Sequence, residues 1–488
     1  MATMTTHAAQ NEAGAGRPWR GDDFPDWLPP MLVRELRQGL SSGAFFWTFL
    51  LLQIALVLSL FFAVLGQSVN PALDGSRRID GIFWTILILG LGLAMPLRGQ
   101  SAVAAERTGN NLDLVRLTKL SATRIVVGKW LANVAQVLLV AVAVLPYMTV
   151  RYFFGGVNIV ADLERLGWLL VVAAVVAALA VYYSTRPQRE RIGMLVLLAF
   201  VGFGALGNLA MTVAGGGVMG FGGGWLLVAI AALYVALFLE AAAASIAPAA
   251  ENHAFAKRLL ALGCAATVAG VGLWGGRPTF WLVAVLLGLP VLFTAMGALC
   301  ERPVRMRRMH AAFARGGLAG RLAAAVLTPG WATGIVFVGL AVGLTATGWA
   351  ARAAADGQFD AIVPFLSLTC AAILFPLPLL LLLPRLAERT AFYVAVQMLC
   401  LIPWGVDLIF RELPQPVAGG GSGGLLAVVA PFPLAGILRL LRETQTDVRQ
   451  TLFVAGCIVA AIILAVVARP WLREMGETQR LVGRRPAA

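Results

Sequence analysis

AFFWTFLLLQIALVLSLFFAVL, residues 44–65, is 22 residues long and carries no charge. Coiled as a helix at about 1.5 Å per residue it reaches about 33 Å, enough to cross a hydrocarbon core of about 30 Å. No signal-peptide core precedes it, so it is expected to stay in the protein as the first span. Similar apolar runs recur to the end of the chain, near 81–97, 125–150, 166–184, 192–213, 223–245, 259–275, 279–299, 331–350, 361–384, 391–410 and 451–468. The 488 residues are 59% hydrophobic and 13% charged, with a mean hydropathy of +0.83. Soluble domains carry about 25% charged residues. The expected fold is all-α: a polytopic helical membrane protein of about 12 transmembrane helices in two six-helix halves. The short alternating pattern of a membrane barrel is absent.

The net charge is +14. Nucleic acid is not the expected partner, because the basic residues cluster in alternate loops between the apolar runs. That bias places Lys and Arg on the cytoplasmic side. It predicts both termini in the cytoplasm and a multi-pass protein of the cell inner (plasma) membrane.

The domain layout follows from these runs. Residues 1–28, rich in Gly, Ala, Asp and Thr, read as a disordered tail. Residues 29–258 form the first half, 259–468 the second, and 469–488 a basic cytoplasmic tail. PPMLVRELRQGLSSG (29–43) predicts an interfacial helix, with Leu32, Leu36 and Leu40 on one face and Arg34 and Arg37 off it. GLLAVVAPFPLAGIL (424–438) is apolar but short and is interrupted by Pro431 and Pro433. Short helices dipping into the outer leaflet are expected there, tolerated where protein covers the backbone.

The longest polar interruption in the N-terminal half is AERTGNNLDLVRLTKLSATRIVVGKW, residues 105–130. Glu106, Arg107, Asp113, Arg116, Lys119 and Arg124 alternate with leucines such as Leu114 and Leu117. Such a mixture suits a short amphipathic segment, one side on the membrane helices and the other open to a partner. AERT recurs at 387–390, again after an apolar run that contains proline. The second copy runs almost directly into the next span. Together with a basic segment at 302–321 that precedes a span as 29–43 does, this points to an internal duplication.

Residues 112–132 resemble the segment between the second and third spans of type-2 ATP-binding cassette (ABC) transporter permeases. Glu106 and Arg107 match the acidic–arginine pair of that family, and Leu112, Asp113 and Leu114 its Leu-acidic-Leu run. Leu117, Thr118, Leu120 and Ser121 match a Leu-Thr-Pro-Leu-Ser turn in which Lys119 replaces the proline, and Gly128 and Lys129 match a Gly-Lys ending. The resemblance covers about residues 29–150. It implies a permease moving its substrate outward, with a separate ATP-binding cassette subunit that would hold ATP and Mg. The coupling residues would be Glu106, Arg107, Asp113, Leu114, Arg116, Leu117 and Lys119. A homodimer is one arrangement that would serve two such subunits.

No nucleotide-binding G-x-x-x-x-G-K-[ST] loop occurs in the chain, and the glycines at 215–224 lack its lysine. No cofactor, metal or catalytic group is expected in this chain. Its histidines are His7, His253 and His310, and none stands at ligand spacing from Cys, Asp or Glu. Cys264, Cys300, Cys370, Cys400 and Cys457 lie in or at the ends of apolar runs and read as small buried residues. Polar groups within spans are the candidates for a substrate path: Gln53, Glu240 and Asp407. Two other functions were weighed. An integral membrane glycosyltransferase-like enzyme would need outer-loop carboxylates, for which only Asp74 and Asp80 offer themselves. A secondary transporter would need a charged or unwound midplane site.

Overall fold

The structure, a computed structural model, describes residues 30–69, 75–98, 121–153, 158–186, 221–248, 251–306, 310, 313–357, 359–383, 389–400, 403, 432–440 and 446–483. The described residues are all-helical, without strands. Nine of their helices are long and apolar enough to cross a bilayer, which makes this a multi-pass membrane protein. The helix over 81–97 is apolar but shorter. The expected span at 192–213 lies outside the described residues, as do residues 401–402 and 404–410 of that at 391–410.

The chain divides into two compact units, one of residues 1–102 and 124–180, the other of 103–123 and 181–488. The division does not coincide with the expected boundary at 258.

The first unit opens with α1 (Pro30–Leu40), where the first-turn proline costs no hydrogen bond. Ser42 ends it, accepting from the Phe45 amide through its Oγ and so capping α2 (Gly43–Val69). Only 22% of the apolar window of α2 is buried, so Phe46, Trp47, Ile54 and Phe61 face outward as lipid would require. Next come α3 (Gly75–Leu87), a π-helical stretch π1 (Ile88–Ala94) and α4 (Met95–Leu97). The wide turn ends with the Met95 amide bonded to Gly90 O, one residue before Pro96, which has no amide to give. α5 (Ala122–Phe153) and α6 (Ile159–Ser184) complete the unit. Leu56, Phe83, Leu87, Leu91, Val140 and Val144 form the centre of its core.

This unit carries charge at two levels. Lys129 sits near the start of α5 and Arg151 near its end, with no charged residue among the 21 between them. Arg151 is buried, bonds Asp162 at 3.1 Å and lies 4.1 Å over the Phe83 ring. Twenty-two residues of helix span about 33 Å, the thickness of a hydrocarbon core. Polar anchors therefore mark both edges of the apolar slab.

The second unit contains α7 (Phe221–Ile246), α8 (His253–Trp274), α9 (Arg277–Cys300), α10 (Gly317–Leu327), α11 (Trp331–Asp356), α12 (Phe359–Leu374), α13 (Leu377–Leu382), α14 (Arg389–Leu399), α15 (Pro433–Leu440) and α16 (Thr446–Gly483). Its core is built on small residues. Ala261, Cys264, Ala265, Val268 and Gly272 line one face of α8 and are buried. A Cβ on Gly348 of α11 would sit 2.5 Å from Val268 O, and one on Gly272 would fall on the Gly348 backbone, so the two helices cross with their backbones in contact. Arg352, paired with Asp356, donates to Gly275 O at 3.1 Å and closes that end of the crossing.

Between α12 and α13 the chain breaks at Phe375–Pro376. Pro376 cannot donate to Ala372 O. Gln397 of α14 donates to that carbonyl instead at 2.6 Å, and the Tyr393 hydroxyl donates to Ile373 O at 2.7 Å. α15 has 8 residues, about 12 Å of helix, far too short to cross. Ile437 and Leu440 pack it on Leu368 of α12 and Leu452 of α16; the rest of 424–445 lies outside the described residues. Residues 469–483, expected as a basic tail, continue the helix of the last span to Gly483.

The element order repeats. An 11-residue helix, a short link, a helix of 27 residues and then a helix broken just before proline run through α1–α4. The same succession, with 11 and 26 residues, runs through α10–α13. AERT follows the broken helix both times.

Candidate functional site

The coupling residues expected from the sequence, Glu106, Arg107, Asp113, Leu114, Arg116, Leu117 and Lys119, lie outside the described residues. Their supports on either side are described. Arg98, the last described residue before the segment, donates from Nη2 to Ser42 Oγ at 2.7 Å and stacks 5.0 Å over the Phe45 ring. Asn133 Nδ2 of α5 bonds Pro96 O at 2.8 Å. Beyond the segment, Lys129 of the Gly-Lys ending is buried and pairs with Glu35 Oε1 of α1 at 2.9 Å. The described residues on either side of the segment thus lie against the same corner, Arg98 at the α1–α2 link and Lys129 at α1. The acidic–basic pattern is local and legible along the chain, but this partnership is not, because Glu35 and Lys129 are 94 residues apart.

The second unit holds a denser polar knot, which sequence reading missed. Arg258 of α8 is only 1% exposed. Its guanidinium donates to Val326 O and Thr328 O at 2.7 Å, Glu301 Oε2 at 2.8 Å, and Thr333 Oγ1 and Gly330 O at 3.1 Å. Lys257 Nζ binds the other Glu301 oxygen at 2.9 Å. Burial works against an ionised Glu301, yet the charges of Lys257 and Arg258 and their hydrogen bonds outweigh it and hold the carboxyl below its ordinary value. Gly330, at φ 141°, makes the turn that aims its carbonyl at Arg258; a side chain there would be strained. The knot ties α8, the end of α9 and the α10–α11 link into one block. From the sequence, Arg258 was an ordinary loop cation beside the bilayer; the Thr328-Pro329-Gly330 turn was the available signal that carbonyls needed a donor.

Of the substrate-path candidates, Asp407 lies outside the described residues. Glu240 has a partner: its Oε1 is 2.6 Å from His253 Nδ1, and His253 Nε2 is 3.0 Å from Glu251 Oε2. His253, expected to stand alone, is bracketed by two carboxylates, one 13 residues away, and the set fastens the α7–α8 hairpin. Gln53 keeps a candidate role. Its Nε2 is buried with no hydrogen-bond partner among the described residues, as is Nε1 of Trp84 on the neighbouring helix. Each such orphaned donor costs about 1–3 kcal/mol, and a ligand or water with an acceptor would relieve it.

No protein-family model matches this chain, and neither a curated protein nor a solved structure matches it.

Proposed function

We propose that this chain is the membrane-spanning permease subunit of an ATP-driven ABC exporter, with about twelve crossings in two duplicated halves and both termini in the cytoplasm. ATP and Mg belong to a separate subunit that docks on residues 105–120. The observation that supports this reading is the attachment of the residues flanking that segment to one corner of the first unit, Arg98 to Ser42 in the α1–α2 link and Lys129 to Glu35 of α1. Force applied to the segment moves α1, the start of α2 and the start of α5 together, as a coupling element requires. The repeated element order and the π-helical break just before the first segment support the same reading; such breaks are frequent at functional sites.

The test is a pair of charge reversals. Arg107→Glu with Arg116→Glu abolishes co-purification of an ATP-binding subunit while membrane insertion is unchanged. Arg385→Glu with Arg389→Glu, at the second AERT, has the smaller effect. No loss from the first pair removes the reading.

A further inference from the structure

α14 begins within the second AERT, at Arg389, so the second half has no long polar segment of its own after that motif. The structure supplies a different projection from that half. The apolar part of α16 ends near Ala468, and the helix continues for 15 residues to Gly483, about 22 Å. Pro470 lies inside the helix without ending it. A headgroup layer is about 5–8 Å deep, so the extension reaches past it into water.

This extension does not stand alone. At its base Trp471 Nε1 donates to Ala332 O at 2.9 Å. Eight residues further out, Gln479 Nε2 donates to Arg321 O at 3.2 Å. Moving outward along α16 therefore means moving backward along α10, and the two helices run side by side away from the α11 end. Arg305, five residues from the C-terminus of α9, bridges Glu474 at 2.9 Å and Glu477 at 2.8 Å. The stalk is thus bolted to the block that Arg258 and Glu301 hold.

Its two faces differ. Trp471, Met475, Thr478 and Val482 recur at helical spacing on the packed side. Arg469, Arg473 and Arg480 recur on the other, all exposed, with Leu472 63% exposed among them. On α10 Arg321 is exposed, as are Leu318 and Leu322, at 77% and 64%. The acids of the extension, Glu474 and Glu477, are engaged by Arg305, and Glu477 is also 3.9 Å from Arg473, whose side chain stays exposed. What remains outward is a basic surface with exposed leucines on both helices, suited to an acidic protein face that carries apolar residues.

We propose that α10 and the end of α16 form a second docking surface for the ATP-binding subunit, replacing the polar segment that the second half lacks. The proposal rests on the permease reading. A second copy of this chain would bring arginines against arginines, and a bilayer lies behind the outer turns of the stalk.

The test uses full-length permease in nanodiscs and the ATP-binding subunit that co-purifies with the wild type. Arg469→Glu, Arg473→Glu and Arg480→Glu together weaken its affinity by about tenfold or more and reduce its salt dependence. Leu318→Ser with Leu322→Ser, which leaves every charge in place, also weakens it. If the wild type binds the subunit and both variants bind equally well, the stalk proposal is overturned while the permease reading stands. If the wild type retains no ATP-binding subunit, both are overturned. If subunit affinity is unchanged but the charge variant loses binding to vesicles of phosphatidylglycerol and phosphatidylcholine, the surface belongs to lipid and the docking proposal fails.

Discussion

Replacing Glu301 by Gln is expected to damage the second unit more than its position at the end of a helix suggests. The substitution keeps the size and an acceptor but removes the only negative charge that faces Arg258 in the described knot. The guanidinium is 1% exposed and cannot turn to water. Breaking a buried pair from one side costs about 3–5 kcal/mol. Three carbonyls and the Thr333 hydroxyl still accept from Arg258, which argues for the lower end, about 3 kcal/mol. At about 2–4 °C per kcal/mol for a unit of this size, the melting midpoint falls by roughly 6–12 °C. Arg258→Met removes the cation instead and leaves Glu301 with Lys257. With both changes the buried cation is gone and only the part-exposed Lys257 is left without its carboxylate, so the double variant loses at least about 1–2 kcal/mol less than the two single losses summed. Thermal unfolding in detergent, followed by tryptophan fluorescence, measures all four proteins. The pH dependence has a definite sign. Glu301 is held below its ordinary value in the folded protein, so its contribution is present above the unfolded carboxylate pKa of about 4.3 and fades as pH falls below it. Wild type therefore loses its advantage over Glu301→Gln on acidification. Additivity within about 0.5 kcal/mol, or a gap that is constant with pH, would refute the coupling.

Further outcomes follow from other contacts. Exchanging the buried pair, Glu35→Lys with Lys129→Glu, restores part of the stability that either reversal alone removes, read by the same melts. Gly348→Leu places side-chain atoms on the α8 backbone and prevents stable accumulation in the membrane, whereas Gly343→Leu, where a Cβ meets nothing within 4 Å, is tolerated. In cysteine labelling, position 115 is protected from outside reagents and position 420 is open to them, and tags at 418 and 447 report the same side. Opposite sides for the two tags would mean an extra crossing in 424–445.

How much of this was legible in the sequence follows from range. The spans are local, since one uncharged run such as 44–65 carries its own signal, and the observed helices fall where those runs lie. The amphipathic helix at 29–43 was legible from leucine spacing alone. Polar partnerships were not. Glu35 and Lys129, Arg258 and Gly330, and His253 and Glu240 come together through helix packing that no local pattern encodes. The residues after Ala468 read as a basic tail from their arginine content, while the partly buried stripe of Trp471, Met475 and Val482 that accompanies their helix becomes meaningful only once α10 is beside it. Asp407 and the residues read as a coupling segment lie outside the described residues, so their placement there is still the sequence's alone.

The central claim is that an external ATP-binding subunit drives this chain. The most direct measurement is ATP hydrolysis by the affinity-purified protein in nanodiscs, compared with Arg107→Glu/Arg116→Glu prepared the same way. The account predicts a stoichiometric ATP-binding subunit and Mg-dependent hydrolysis in the wild type, both lost in the variant while the permease itself remains inserted and folded. Wild-type protein that purifies with no ATP-binding subunit and hydrolyses no ATP, or hydrolysis that survives the two charge reversals unchanged, would contradict it.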